Sequence, residues 1–516
     1  MNQINRKSKI SSFFELLSSH CEYIMTFTLG LLMIVQRFLS GAYKPVMDDW
    51  FLYGDLYKGI SNRLANFSIP NEKFAIRPLA GVFDCFVNAP LFNHLWIVEL
   101  FLTFSLLFGS FLIIKALRRN NFASGGFFLC LVCLFPVGLE ATYWIAAATR
   151  VAYSLLFIGC ATLSLDYCYK SDKVKFLVMF AVFGMLSVCF YEPAIVVYII
   201  LTLFIVWNNY RNKKDLLPLA IMAAHIAIIG IYYILNSGSG EIESRGGFLE
   251  TDILEHTALV TDYTKNIFTD FTNSIFKNGY DKGIIIVFGG HKFIKILLIA
   301  IFSIIFGVFS AVCIKKRKFS WKILVLGIVM FFGGLSLNYI LGSDRIPLRL
   351  VFFAYLGIGI VIDELIVLLP LSFSRILCAV LLTVSAFSFT VTGIGEVSDY
   401  QKTSDIDVAL TSQLINLDTK ENITNTDKNV YSGQHYYDET KCVSWLDHIR
   451  GVSGNYADFT GCMRHITGAA NTNNVMPFTY GDIHKLKPFI DIEGVCNFYN
   501  IEYDRTIVPV KLVADG

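Results

Sequence analysis

Apolar residues along this chain come in long blocks, with no sustained period of two and no single amphipathic face. Runs of roughly twenty hydrophobic residues, each long enough as a helix to cross a ~30 Å hydrocarbon core, alternate with short polar connections. A membrane barrel would instead show ~10-residue segments of alternating character, so the blocks predict helices. A window of ~19 residues places spans at 23–42, 94–116, 122–139, 151–168, 174–191, 194–209, 216–235, 294–314, 321–341, 350–369 and 374–395. The expected fold is an all-α polytopic membrane protein of about 11 transmembrane helices.

The pattern changes after residue 395. Residues 396–516 are polar, acidic-leaning and rich in Asn, Asp, Thr and Tyr, with a short helical candidate at 443–449 and a strand-like run at 505–510. They predict a small C-terminal α+β domain beside a membrane domain covering 1–395. The apolar stretch 74–92 is left out of the spans because it carries Arg77, Pro78, Asp84 and Pro90, and counting it would reverse every later loop. It is expected as an outer-surface or re-entrant helix. Residues 237–282 are expected as an outer loop, with 275–290 along the interface.

Charge then sets the orientation. The connections bearing Lys115, Arg118 and Arg119, then Lys170, Lys173 and Lys175, then Arg211, Lys213 and Lys214, and finally Lys315, Lys316, Arg317 and Lys318 all fall on the side of the basic N-terminus. Positive loops stay inside, so the N-terminus is expected in the cytoplasm and the C-terminal domain in the periplasm, with no cleavable signal peptide. Composition agrees: 54% hydrophobic, 15% aromatic and 16% charged residues, with a mean hydropathy of +0.55, exclude an ordinary soluble protein. A net charge of +2, dispersed between spans, offers no basic face to nucleic acid. Nine of the twelve cysteines lie in or near spans, Cys130 and Cys133 among them, and are expected as packed thiols. Cys442, Cys462 and Cys496 lie in the tail, where an oxidising periplasm allows two to pair.

The candidate chemistry gathers on the outer face. Asp48 and Asp49 follow the first span in Lys44-Pro45-Val46-Met47-Asp48-Asp49-Trp50, a costly place for two charges unless they are used. Arg77, Glu140, Arg150, Glu192 in the Tyr191-Glu192-Pro193 turn, Asp344, Arg345 and Arg349 emerge on the same side, with Tyr143 and Trp144 between Glu140 and Arg150. Arginine forks bind phosphate, a carboxylate takes a proton from a hydroxyl, and aromatic faces cover sugar rings. The set predicts a site for an anionic lipid-linked substrate. Each member also has a structural use, as a snorkelling arginine, a helix stop or an interfacial aromatic belt. Asp48 and Asp49 cannot both aim at one atom from a regular helix, and Asp55 competes for the same role.

Met47-Asp48-Asp49, the later Ile76-Arg77-Pro78-Leu79 and the late Asp344-Arg345-Ile346-Pro347 loop, set in this plan of spans and tail, resemble the GT-C superfamily of polyprenyl-phosphate-sugar-dependent glycosyltransferases. The likeness is greatest to the serotype-converting O-antigen glucosyltransferases of enteric bacteria and their phages. It implies an undecaprenyl-phosphate-glucose donor, a hydroxyl of lipid-linked O-antigen as acceptor, inversion at the anomeric carbon and a site in the bacterial inner membrane facing the periplasm. Asp48 or Asp49 would be the base, with Arg77, Arg345 and Arg349 on the departing phosphate. The resemblance also implies functional links to a bactoprenol glucosyltransferase and a glucosyl-lipid flippase. Some members of the superfamily use a divalent cation; no tight Asp/Glu/His cluster is visible here, so no obligatory metal is expected. The rival readings are a transporter or flippase, for which Gln36, Arg37, Asp363 and Glu364 inside spans are the candidates, and an O-antigen polymerase.

Overall fold

The computed structural model describes residues 20–54, 77–171, 173–211, 216–235, 253–289, 293–315, 318–340, 348–421, 430–433, 456–467, 475–478, 497–501 and 507–510. The chain divides into two compact units. One comprises Met1–Ser40, Pro70–Gly81 and Glu99–Val397, the other Gly41–Ile69, Val82–Val98 and Ser398–Gly516.

Helices build the first unit. Seven described helices of the chain are long and apolar enough to cross a membrane, accompanied by the shorter apolar helices Val174–Phe190, Ala194–Asn209 and Trp321–Ser336. Their outer faces are bare hydrocarbon, with Ile231, Leu235, Phe293, Phe332 and Ile376 exposed. Such a surface is a liability in water and an ordinary solvated face in lipid. The chain is a multi-pass membrane protein. Where helices meet, small residues let backbones touch: a methyl group on Gly159 would stand 2.5 Å from the Gly109 carbonyl oxygen, where Leu95–Arg119 crosses Ile145–Ser171.

The span expected at 122–139 is not one helix. Gly126–Leu134 stops short of Pro136, a 3-10 turn covers Pro136–Gly138, and Leu139–Thr142 adds one further turn. Pro136 lacks the amide hydrogen that a continuing helix needs. Arg119 and Lys170 both reach Asp166, tying residue 119 to the C-terminal end of Ile145–Ser171, a 27-residue helix about 40 Å long. The chain from 120 to 144 must run from there to the opposite end of that helix, about 30 Å away.

Other helices complete both ends of the broken one. Gly125, at φ +100°, has no side chain with which to cap it. Asp363 does so from another helix, accepting the Phe127 and Phe128 amide hydrogens at 3.3 and 2.9 Å. At the far end Gln36 donates to the Leu134 carbonyl at 2.8 Å and to the Phe389 carbonyl at 3.0 Å. Glu364 accepts the Ser320 amide at 2.6 Å, ahead of Trp321–Ile340. Arg37 donates to Glu99 at 2.6 Å and to Thr103 at 2.7 Å, both charges fully buried. The charged and amide groups that single out a transporter thus have structural work here.

Three further expectations change. The last span, 374–395, lies within Leu371–Glu421, a 51-residue helix whose polar continuation a hydropathy window does not register. The outer loop expected at 237–282 is helical where it is described: Ile253–Asn266, a π turn and Thr272–Phe288 follow one another. Its second half packs closely on the last long helix, since a methyl on Gly283 would fall 1.9 Å from the Val391 carbonyl oxygen. The stretch expected as a re-entrant helix runs as Pro78–Phe83, the π turn Asp84–Asn88 and the 3-10 turn Ala89–His94, directly into Leu95–Arg119.

In the second unit the helix Tyr456–Thr467 packs on the short helix Asp48–Gly54. Within the tail, β1 (Val430–Gly433), β2 (Val475–Phe478), β3 (Asn497–Ile501) and β4 (Ile507–Val510) form a sheet in the order β2-β1-β3-β4. β1 runs parallel to β2 and β3, and β4 runs antiparallel to β3 with Phe498 opposite Val510. The strand expected near 505–510 is β4; the helical candidate 443–449 and Cys442 and Cys496 lie outside the described residues. Cys462 is buried and accepts the Thr411 hydroxyl at 3.3 Å.

Candidate functional site

The candidate residues fall in both units, and each group stands by itself. In the second unit, Pro45 and Val46 lead to Met47, whose φ of +50° is rare for a residue with a side chain. The helix then begins at Asp48. Successive residues on a helix point about 100° apart, and this separates the two carboxylates. Asp49 turns inward with Trp50 and Tyr53, all three buried, while Asp48 is half-buried. The Tyr43 hydroxyl and the Val46 amide, the latter at 3.2 Å, both donate to Asp49 Oδ2. No hydrogen bond or ion pair holds the Asp48 carboxylate among the described residues.

More buried acid surrounds this helix. The Tyr53 hydroxyl donates to Asp84 Oδ1 at 2.9 Å, and the Asn88 amide reaches the same oxygen at 3.1 Å. The Trp50 indole donates to Asp407 Oδ2 at 3.3 Å, and the Trp50 ring meets His465 and Phe92, centroids 5.8 and 6.0 Å away. The helix face behind Asp48 is thereby fixed at three residues, Asp49, Trp50 and Tyr53. Among the described residues no group of three or more His, Cys, Asp or Glu side chains is placed to hold a metal ion.

In the first unit the arginines are paired. Arg77 grips Glu192 with two nitrogens, Nε to Oε2 at 2.6 Å and Nη2 to Oε1, and its guanidinium lies 4.7 Å from the centre of the Tyr191 ring. Arg349 Nη1 donates to Glu140 Oε1 at 2.8 Å, and its guanidinium lies 5.3 Å from the centre of the Trp144 ring. Tyr191 feels all four charges. Burial pushes its phenol above the ordinary value, and the two guanidiniums pull the other way. Burial also works against the charge on Arg77, but Glu192 more than compensates and holds the guanidinium above its usual value. Among the described residues two cations and two anions meet here, with no net charge.

No family model matches this chain, and no curated protein matches it. Among solved structures, the crystal structure of ArnT from Cupriavidus metallidurans bound to undecaprenyl phosphate aligns over 95% of this chain and 93% of that one, at 13% identity and a TM-score of 0.35. A likeness that shallow carries no argument about this chain.

The sequence-selected residues therefore sort unevenly. Arg77, Glu192, Arg349, Glu140 and Trp144 come together around Tyr191, which the sequence offered only as part of a turn. Tyr143 is buried beside Trp144, and Arg150, inside the helix Ile145–Ser171, donates to the Ala146 carbonyl one turn back. Asp55, Asp344 and Arg345 lie outside the described residues. Asp84 and Asp407 were not singled out: one is a lone acid in an apolar stretch and the other a polar helix residue, and only folding brings them to the Asp48 helix.

Proposed function

We propose that this chain is an inverting glycosyltransferase of the membrane, taking a hexose from a polyprenyl phosphate and passing it to a hydroxyl of a lipid-linked glycan. The observation that carries the reading is the division of labour at the acidic pair. Asp49 is buried and spent on Tyr43 and Val46, whereas Asp48, next to it, presents a carboxylate that nothing described holds. A base needs that combination: a fixed backbone and an accessible oxygen.

In the reaction, Asp48 takes the proton of the acceptor hydroxyl as its oxygen attacks the anomeric carbon from the face opposite the phosphate. The carbon–oxygen bond to phosphate breaks, the polyprenyl phosphate leaves with the electron pair, and configuration inverts. Phosphate is a good leaving group, so no general acid is required. The resemblance assigns the departing phosphate to Arg77 and Arg349. Arg345 joins them in this reading, as does a periplasmic placement of the tail. The resemblance of Met47-Asp48-Asp49 and Ile76-Arg77-Pro78-Leu79 supports glucose as the sugar, undecaprenyl phosphate as carrier, lipid-linked O-antigen as acceptor and the bacterial inner membrane as location.

The test is the mass and linkage of the glycan made by cells with and without the protein, and with Asp48→Asn. The transferase adds one hexose and the variant adds none while still inserting in the membrane. An unmodified glycan in both, or full transfer by Asp48→Asn, rejects the assignment.

A further inference from the structure

We propose that Glu140, Trp144 and Tyr191 form the subsite for the hydroxyls of the transferred sugar, covered by Arg349 in the state described; the inference rests on the transferase reading above. Three buried polar atoms of this cluster have no hydrogen-bond partner among the described residues: Trp144 Nε1, Tyr191 Oη and Glu140 Oε2. Each residue is at most 3% exposed. A buried group left unpaired is costly, so a ligand that completes these three would gain from each.

Their chemistry says what completes them. The indole N–H only donates, the free carboxylate oxygen only accepts, and the phenol does both. A sugar hydroxyl also does both at once, so it has the chemistry to pair with any of the three. Among the described residues the two arginines are matched one for one by Glu192 and Glu140, so these four side chains carry no net charge. The set suits an uncharged polyol.

Arg349 decides access. It is the most exposed of the four charged side chains, at 28%, and it covers the Trp144 ring while occupying Glu140 Oε1. When a phosphate draws its guanidinium away, the indole face and both Glu140 oxygens become available together. Arg77, gripped by two bonds and less exposed at 16%, stays behind and holds the Tyr191 ring. Phosphate recognition and sugar recognition are then successive uses of one residue's motion.

The experiment compares two lipids on the full-length protein in nanodiscs: undecaprenyl phosphate and undecaprenyl-phosphate-glucose. Wild-type protein is expected to bind the glucosylated lipid more tightly. Tyr191→Phe and Trp144→Phe are each expected to weaken that lipid by roughly five- to tenfold, as for one lost hydrogen bond, and to leave bare undecaprenyl phosphate unchanged. Tyr191→Phe removes a single oxygen, and the bare lipid reports whether each variant is folded. Equal losses on both lipids, no loss on either, or a wild type without preference for the sugar overturns the subsite and leaves the transferase reading standing. A wild type that binds neither lipid overturns both.

Discussion

The Asp363 carboxylate stands 2.9 Å from the Phe128 amide, so one helix caps another from outside its own chain segment. The Phe127 amide shares the carboxylate. Helix N-termini expose amides that nothing within the helix can satisfy, and inside a bilayer no solvent substitutes. Asp363→Leu is therefore expected to cost about 1–3 kcal/mol for each orphaned amide. Asp363→Asn, which keeps one acceptor oxygen, should cost less. Thermal unfolding in detergent measures both. A transport role predicts the opposite pattern, with flux lost and stability unchanged.

Arg37 and Glu99 form a fully buried pair 2.6 Å apart. Removing one partner strands the other charge, so Arg37→Ala or Glu99→Ala alone is expected to destabilise by about 3–5 kcal/mol. Arg37→Met combined with Glu99→Leu should recover most of that loss. A double-mutant cycle on unfolding free energies reads the coupling. Additive single effects would show that the two charges do not depend on each other.

How much of this was legible beforehand depended on distance along the chain. The ends of Leu95–Arg119 and Phe293–Cys313 follow from hydropathy within a few residues, because lipid selects for apolar length directly. Pro136 stood in plain view, yet a ~19-residue average smooths over one breaker in an otherwise apolar stretch. Asp363 and Glu364 read as anomalous charges because their partners, Phe128 and Ser320, lie on other helices. For the same reason Arg77 and Arg349 read as open phosphate binders, since nothing local announces Glu192 or Glu140. The separation of Asp48 from Asp49 was half legible. Helical geometry requires the two to diverge, but Tyr43 and Val46 determine which one turns inward.

The two members of that pair should respond differently to the same change. Asp48→Asn is expected to lower transfer by about 10²–10⁴-fold with unfolding unaffected, the range for a lost general base. Asp49→Asn keeps an acceptor for Tyr43 and Val46 but removes a buried charge, so it should alter stability as well as rate. Turnover and unfolding on the same samples separate the cases. Equal turnover losses with both proteins equally stable would contradict the division of roles.

The buried Tyr191 phenol makes a prediction about alkaline pH. Its value in the folded protein is raised by burial, so folding favours the neutral form. Below about pH 10, the ordinary phenol value, both states are neutral and the contribution is constant. Above it the unfolded phenol ionises first, and stability falls as pH rises. Tyr191→Phe should flatten that part of the stability profile relative to wild type. Parallel profiles for the two proteins would place the titration elsewhere.

Gln36 serves two carbonyls, on Leu134 and Phe389, and there is room for it only because residue 393 has no side chain: a methyl on Gly393 would come within 2.1 Å of the Gln36 amide nitrogen. The two positions are therefore not free to drift separately. A lineage that enlarges residue 393 must shorten residue 36 in step and find another donor for the end of the broken helix. Paired change at 36 and 393, with Pro136 lost alongside, is the mark such a lineage would leave.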